Sequence, residues 1–155
     1  MTVGSELTEY LPVPSESALD DLELRIARAP RAAGEAMPAY EGLWVGRLRR
    51  ITAAKLRHWQ LTPLIDPAQL LISELVTNAL RYGTGPEIAF RFLLTADVLV
   101  ILVDDGSPHA PQVHQPAPDE ESGRGMLLVS AIATDWGVSP HGSATWCSLT
   151  IPWRT

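Results

Sequence analysis

An apolar stripe between residues 67 and 82 constrains the fold of this chain more than any other feature. Its members recur three and four residues apart, as on one side of a helix, and they are Leu71, Leu75, Val76, Ala79 and Leu80. We expect Asp66 to cap the helix, with Pro67 at the first helical position and Gln69 completing a capping box. Gly83 is expected to end it. The pattern predicts an amphipathic helix over residues 67–82.

Two polar side chains lie beside this stripe. Glu74 and Asn78 are four residues apart and therefore share one helical face, which Arg81 continues one turn later. A carboxylate and a carboxamide in this arrangement can hold a general base and a metal ligand together. An ordinary amphipathic helix with a polar edge would show the same pair, so the pair alone leaves both interpretations open.

Two strands are predicted after the helix. Apolar and polar residues alternate over 88–94, which indicates a half-buried strand. Residues 98–103 are apolar at every position, which indicates a strand covered on both faces or central in its sheet.

Two acidic residues, Asp104 and Asp105, end the second of these strands. Strand alternation puts Asp105 on the same side as Val103 and Asp104 on the other. A carboxylate leaving a buried strand can accept a hydrogen bond from a ligand amine in an apolar pocket. The same residues are also typical of a simple turn.

The remaining segments complete a two-layer fold. The patterns predict strands at 22–28, 135–139 and 144–151 and helices at 43–59 and 126–133, with a helix as the alternative at 22–28. We expect an α+β sandwich with helices on one face of a mixed, largely antiparallel sheet. Residues 1–21 are expected to be a flexible acidic leader and residues 22–155 a single domain.

A long loop and a glycine motif stand before the predicted third helix. Residues 109–122 are rich in proline and have no periodicity, as in functional or disordered loops. Gly123, Arg124 and Gly125 follow and lead into Met126. Glycines there let a phosphate approach the backbone at a helix N-terminus. The motif is neither the dinucleotide fingerprint nor a P-loop.

Composition narrows the class of protein. The net charge of −6 argues against nonspecific nucleic-acid binding. The single cysteine, Cys147, excludes an intrachain disulfide and a multi-cysteine zinc site. No apolar run spans a bilayer and no signal peptide is evident, so we expect a cytoplasmic protein. The predicted helix at 43–59 carries five basic residues, which form either a solvated surface or a partner-binding patch.

In their order along the chain, these motifs resemble the ATP-binding domain of the GHKL superfamily, which includes gyrase, histidine kinases and MutL. The N box of that superfamily is resembled by Glu74-Leu-Val-Thr-Asn78-Ala, and its first glycine box by Asp105-Gly106-Ser107-Pro108. Its second glycine box is resembled by Gly123-Arg124-Gly125-Met126-Leu127, and its last motif by Gly142-Ser143-Ala144-Thr145. The resemblance covers about residues 43–152 and implies a Bergerat-type fold. It is nearest to the stand-alone bacterial anti-sigma-factor serine kinases.

The resemblance implies a division of roles around the phosphates of ATP. Asn78 would ligate the Mg²⁺ that bridges them, which suits an ion that takes few hard oxygen ligands from the protein. Glu74 would be the general base. Gly123 and Gly125 would let the lid and helix wrap the phosphates, with Arg124 in contact with them.

At the adenine end, the resemblance implies that Asp105 accepts a hydrogen bond from the amino group. Reading the motif from Asp104 instead keeps Gly106 but breaks the strand alternation. Met126 and Thr145 are placed among the residues that bind the nucleotide. Departures from the usual first glycine box are Ser107 and His109, which stand at its glycine positions.

The function implied is that of a cytoplasmic protein kinase. It would bind Mg-ATP and a protein partner, a sigma factor, and would phosphorylate a serine on an antagonist, with no direct contact to nucleic acid or membrane. The sequence leaves open whether the protein forms a homodimer. The alternatives are a nucleotide-dependent binding switch without kinase activity and a detached histidine-kinase domain. The last is disfavoured because His58 is followed by Trp59 rather than by an acidic residue.

Overall fold

The computed structural model describes residues 11–29, 35–107, 121–140 and 142–152, and of residues 121–125 the backbone alone. The elements in chain order are a 3-10 turn (Ser15–Ser17), β1 (Asp20–Ala27), α1 (Ala39–His58), a second 3-10 turn (Thr62–Leu64), α2 (Ile65–Tyr82), β2 (Glu87–Leu94), β3 (Val98–Asp104), α3 (Glu121–Ile132), β4 (Asp135–Val138) and β5 (Ala144–Thr150). The predicted α+β architecture is therefore confirmed, and residues 22–27 lie in a strand rather than in the alternative helix.

The five strands form one sheet in the order β1-β2-β3-β5-β4, and every neighbouring pair is antiparallel. β3 lies in the middle and has a partner on each side, as its uninterrupted apolar sequence predicts. Leu99 and Leu102, which point to opposite faces, are both fully buried. The end of β3 is thus held by strands on both sides, which fixes the position of the acidic residues that follow it.

The helices pack on one face of the sheet and form the main core with it. The contributing side chains include Ile88, Phe90 and Phe92 of β2, Leu99, Ile101 and Val103 of β3, and Leu71, Leu75 and Val76 of α2. The alternation in β2 and β3 supplies one row of apolar side chains per strand to this face. The stripe predicted on α2 is the side that packs against them.

The expectation that β2 is half-buried was wrong, because its second face is covered as well. Ala89, Arg91 and Leu93 are 4%, 6% and 0% exposed. The Arg91 guanidinium donates from Nε and Nη2 to the two carboxylate oxygens of Asp21, at 3.1 and 2.7 Å. A second apolar cluster on this face joins Ala89, Leu102 and Ala144, with Leu11 and Trp146 packed against it.

The first strand begins at Asp20, two residues before the boundary expected at residue 22. The Asp20 carboxylate accepts hydrogen bonds from Lys55 Nζ at 2.8 Å and Trp59 Nε1 at 2.9 Å, both near the end of α1. Burial raises the pKa of Asp20, but the two hydrogen bonds, the charge of Lys55 and a backbone hydrogen bond from Asp21 together hold the pKa below its usual value. Asp20 therefore ties the start of the sheet to α1.

Helix α2 begins at Ile65, so the predicted cap was wrong. Asp66 lies within the first turn, no side chain caps the N-terminus, and the Gln69 amide donates to the Arg49 carbonyl instead of completing a capping box. A 3-10 turn runs directly into the helix, and Leu64 and Ile65 are 7% and 8% exposed. Burial of these two side chains starts the helix earlier than local cap signals do.

Helix α3 also begins earlier than predicted, at Glu121 rather than at Met126. Residues 123–125 therefore lie in the first turns of the helix and not in a loop before it. The helix packs its later turns on the core through Val129, which is fully buried. Extending a packed helix backward by a turn needs no new nucleation, which offsets the low helix propensity of glycine. None of the helices in the described ranges combines the length and the apolar character needed to cross a membrane.

Candidate functional site

A cavity of about 190 Å³ lies between α2, the start of α3 and the adjoining ends of β3 and β5. Its lining residues are Leu75, Asn78, Ala79, Tyr82, Val103, Asp105, Met126, Ser143 and Thr145. Apolar side chains form most of the wall, and Asn78 and Asp105 contribute an amide and a carboxylate. Ligand pockets typically enclose about 300–1,000 Å³, so this cavity suits one ring system rather than a whole nucleotide triphosphate.

Helix α2 supplies four of the lining residues, spaced so that they share one face: Leu75, Asn78, Ala79 and Tyr82. Glu74, half-buried one turn before Asn78, does not line the cavity. On a helical wheel it lies about 40° beyond Asn78, away from the centre of the lining face. Arg81 is exposed and also lies outside the lining. The structure thus brings Asn78 to the cavity and leaves Glu74 at its edge.

Asp105 lines the cavity, and Asp104 does not. Asp104 is paired in the sheet with Ala89 and Ala144, and its Oδ1 accepts from the Gly106 N–H at 2.9 Å. Asp105 Oδ1 accepts from the Ser107 N–H at 2.8 Å. Burial raises the pKa of Asp105 above its usual value. A half-buried carboxylate between apolar walls is suited to bind a donor on a planar ring.

The turn after α2 packs directly against the turn that carries Asp105. A Cβ on Gly83 would stand 2.6 Å from the Ala79 carbonyl oxygen and 2.7 Å from Asp105 Cβ. Gly106 has φ +72°, a conformation that glycine adopts without strain. These two glycines let the end of α2 and the end of β3 meet at contact distance beneath the cavity.

Ser107, which departs from the glycine expected at its position, links the same two turns. Its Oγ accepts a hydrogen bond from the Thr84 N–H at 3.3 Å and lies at the same distance from Thr84 Oγ1. The serine therefore adds side-chain contacts where glycine would add none. His109, the other departure, lies outside the described residues.

Arg28 and the start of β5 complete the frame of the site. Arg28 donates to the Gly85 carbonyl at 2.9 Å and to the Leu80 carbonyl at 3.0 Å, and its charge lowers the pKa of Asp105 against the larger effect of burial. The Asp105 N–H donates to the Ser143 carbonyl at 2.9 Å. This bond joins the end of β3 to the segment that carries Thr145.

The structure describes the side chains of only part of the second glycine motif. Met126 lines the cavity. Gly123, Arg124 and Gly125 lie in the first turns of α3, where the backbone is described and the side chains are not. Residues 108–120, most of the predicted lid, lie outside the described ranges.

Sequence reasoning missed five of the lining residues, which are Leu75, Ala79, Tyr82, Val103 and Ser143. A helical wheel centred on Asn78 would have found Leu75 and Tyr82, which lie three and four residues from Asn78, and Ala79 shares their face because it lies four residues after Leu75. Val103 follows from the alternation that selects Asp105. Ser143 lies in the segment that resembles the last motif but was not assigned to the site, and it lies beside Asp105 because its carbonyl accepts from the Asp105 N–H.

The donor set fits an adenine nucleotide with Mg²⁺. Asp105 offers an acceptor for an amino group, and Val103 and Met126 offer apolar contacts for a ring. Among the described residues, no three acidic, histidine or cysteine side chains are grouped to hold a metal ion. Mg²⁺ bound with phosphates takes only one or two ligands from the protein, and the Asn78 carboxamide oxygen is of the kind it prefers.

Comparison with known families agrees with this arrangement. The sequence model of the histidine kinase-like ATPase domain matches residues 42–149, from α1 to the end of β5 and well over half of the chain. A comparison with curated proteins gave no match. The matched range contains every lining residue of the cavity, together with α2, α3 and most of α1, and on this evidence the chain belongs to the family of histidine kinase-like ATPase domains.

Proposed function

We propose that the protein binds Mg-ATP with its adenine in the cavity between α2 and the sheet. The observation that carries this proposal is the meeting of Asn78 and Asp105 in one cavity, since they belong to different elements and stand 27 positions apart in the sequence. The family to which the chain belongs supports ATP as the ligand.

Each polar residue has a distinct role in this proposal. Asp105 accepts a hydrogen bond from the adenine amino group, and Asn78 provides the protein ligand of Mg²⁺. The metal ion, when bound, neutralises charge on the phosphates. Glu74, at the edge of the cavity, acts as general base on the hydroxyl that receives the phosphoryl group.

We propose further that the protein regulates a protein partner. In the form suggested by the sequence motifs, it binds a sigma factor and phosphorylates a serine on an antagonist in the cytoplasm. The order and spacing of the motifs support this assignment, and membership in the ATPase family supports its nucleotide-binding half.

A comparison of the affinities for ATP and GTP tests the proposed nucleotide site. Guanine carries a carbonyl where adenine carries its amino group, so a carboxylate that binds adenine repels guanine. We expect calorimetric titration to give Mg-ATP an affinity at least about tenfold higher than Mg-GTP, since an unpaired buried acceptor costs about 1–3 kcal/mol.

Asp105→Ala should lose most of this preference, with Asp104→Ala as the matched control at the neighbouring position. Equal affinities for the two nucleotides in the wild type would reject the assignment of Asp105. A larger loss in Asp104→Ala would move the adenine contact to that residue.

A nucleotide-dependent binding switch without phosphotransfer is the second candidate. The position of Glu74 outside the cavity lining favours it, because a general base must reach the proton that it removes. In this case ATP would alter the binding of the protein partner through α2 and α3, which both border the cavity.

A further inference from the structure

The outward face of α1 carries a row of arginines that the nucleotide site does not use. Residues with heptad spacing form this row, and all of them are exposed: Tyr40, Leu43, Arg47, Arg50, Ala54 and Arg57. We call them the arginine face. The row is about 25 Å long at 1.5 Å per residue. The opposite side of α1 packs Leu48 and Leu56 into the core, so the arginine face is directed to solvent.

The arginine face is locally basic on an acidic protein. The chain has a net charge of −6, whereas the only acidic residue of α1 is Glu41, which is buried and accepts from the Ala29 N–H at 3.0 Å. Among the described residues, no acidic side chain pairs with Arg47, Arg50 or Arg57. Their positive charge is therefore left for a partner.

In contrast to these three arginines, two other cations of the described chain make ion pairs within the fold. Lys55 on the same helix pairs with Asp20 at 2.8 Å, and Arg91 pairs with Asp21 at 2.7 Å. Within the arginine face, the Arg47 guanidinium is positioned by Trp44, since it lies 4.9 Å from the centre of that ring. An ordered guanidinium loses less entropy when it binds a carboxylate.

The N-terminal end of the face is apolar. Tyr40 and Leu43 are 58% and 59% exposed, among the largest values for apolar side chains in the described residues. Protein interfaces combine apolar or aromatic contacts with arginine, and tyrosine and arginine are enriched among the residues that dominate binding. Heptad spacing is the pattern along which two helices pack.

We propose that the arginine face binds an acidic helix of a protein partner. The helix would place carboxylates opposite Arg47, Arg50 and Arg57 and an apolar side chain opposite Tyr40 and Leu43. A nucleic acid fits less well, because the protein as a whole repels polyanions and a phosphate backbone offers nothing apolar to Tyr40 and Leu43. An anionic membrane fits less well because the apolar side of α1 is already packed in the core. The inference does not depend on the nucleotide site.

A designed peptide tests the proposal. The probe is a labelled helical peptide of about 20 residues with glutamate facing the three arginines and leucine facing Tyr40 and Leu43, and its control has glutamine for glutamate. We expect fluorescence anisotropy, measured without nucleotide, to show at least about tenfold tighter binding of the glutamate peptide. The preference should fall as salt is raised.

Neighbouring arginines provide the matched control. Arg50→Gln should weaken binding of the glutamate peptide by about threefold to tenfold. The triple variant with Arg47→Gln, Arg50→Gln and Arg57→Gln should bind the glutamate and glutamine peptides equally. Arg49→Gln, on the same helix but about 100° away from Arg50, should have no effect. Unchanged thermal unfolding and Mg-ATP affinity in the variants would show that fold and nucleotide site are intact.

Four results would overturn the proposal. They are failure of the glutamate peptide to bind at about 1 mM, equal binding of both peptides, an equal loss in Arg49→Gln and Arg50→Gln, or an undiminished preference in the triple variant. Binding of single-stranded DNA or of phosphatidylglycerol vesicles in place of the peptide, lost in the triple variant, would assign the face to those ligands instead. Self-association in sedimentation experiments that is lost in the triple variant would assign it to a second copy.

Discussion

Asn78 is the residue through which the proposed metal dependence can be isolated. It lines the cavity from α2 and is only half-buried, so its removal would take away the proposed oxygen ligand and leave the buried apolar side chains of the helix in place. We expect Asn78→Ala to lose the part of the ATP affinity that depends on Mg²⁺. Titration calorimetry with ATP, in Mg²⁺ and in EDTA, measures that part directly.

The titrations in EDTA are the control for this prediction. In EDTA the Asn78→Ala variant and the wild type should bind ATP with similar affinity, because the adenine contacts are unchanged. If Mg²⁺ enhances ATP binding equally in both proteins, Asn78 is not a ligand of the metal.

Asp105 should make the free protein less stable at neutral pH. Burial raises the pKa of Asp105 in the folded state, so at a pH between the unfolded and the folded pKa the folded protein keeps a proton on Asp105 that the unfolded chain has lost. The stability of the wild type should therefore fall as the pH rises from the unfolded value of 3.8 through the raised folded value. Above that range both states are ionised, and the cost is constant.

Asp105→Asn keeps the acceptor for the Ser107 N–H and removes the charge. We expect it to raise the free energy of unfolding in urea at about pH 7, with the gain over the wild type shrinking as the pH approaches 3.8. Asp104→Asn serves as the comparison, because Asp104 lies outside the cavity. A loss of stability in Asp105→Asn at neutral pH would show that the ionised carboxylate stabilises the fold.

At the scale of elements, the sequence predicted the strands and the long central helix because their signals are local. Alternation placed β2, an uninterrupted apolar run placed β3, and the two-residue period of a strand put Val103 and Asp105 on one side, where both line the cavity. The cap at Asp66 was wrong because burial of Leu64 and Ile65, which depends on tertiary packing, decides where α2 begins. Ser143 was missed for a similar reason, since a long-range hydrogen bond from the Asp105 N–H to its carbonyl holds it beside the cavity.

The contact between the end of α2 and the end of β3 gives a prediction about how these elements hold the site. Gly83→Ala would place a methyl group 2.6 Å from the Ala79 carbonyl and 2.7 Å from Asp105 Cβ, so the two turns must separate. We expect a loss of about 1–3 kcal/mol in unfolding free energy and weaker ATP binding.

A matched substitution elsewhere in the chain distinguishes crowding from loss of a glycine as such. In Gly42→Ala the added methyl group would meet only Met37 Cε at 3.6 Å, an ordinary contact, and it lies within α1. This variant should be as stable as the wild type or more so. Equal effects in Gly83→Ala and Gly42→Ala would mean that the close approach to Asp105 does not position the site.

At the scale of the whole molecule, the question is whether ATP binding leads to phosphotransfer. The proposed nucleotide site lies between the sheet and the helical layer, and the proposed partner surface lies on α1, an arrangement that would serve a kinase and a switch equally well. Glu74 distinguishes them because it lies one turn from Asn78 but outside the cavity lining. A general base contributes about 10²–10⁴-fold to rate and little to ground-state affinity.

If the protein is a kinase, Glu74→Ala should bind Mg-ATP nearly as well as the wild type and transfer labelled phosphate to a serine of its antagonist at least about 100-fold more slowly. Asp66→Ala, exposed in the first turn of the same helix, should leave both properties unchanged. If the protein is a switch, the wild type should transfer no phosphate to antagonists encoded beside it, and Glu74→Ala should keep nucleotide-dependent partner binding. A Glu74→Ala protein that no longer binds ATP would contradict both forms of the prediction, because Glu74 would then support the nucleotide or the fold rather than the chemistry.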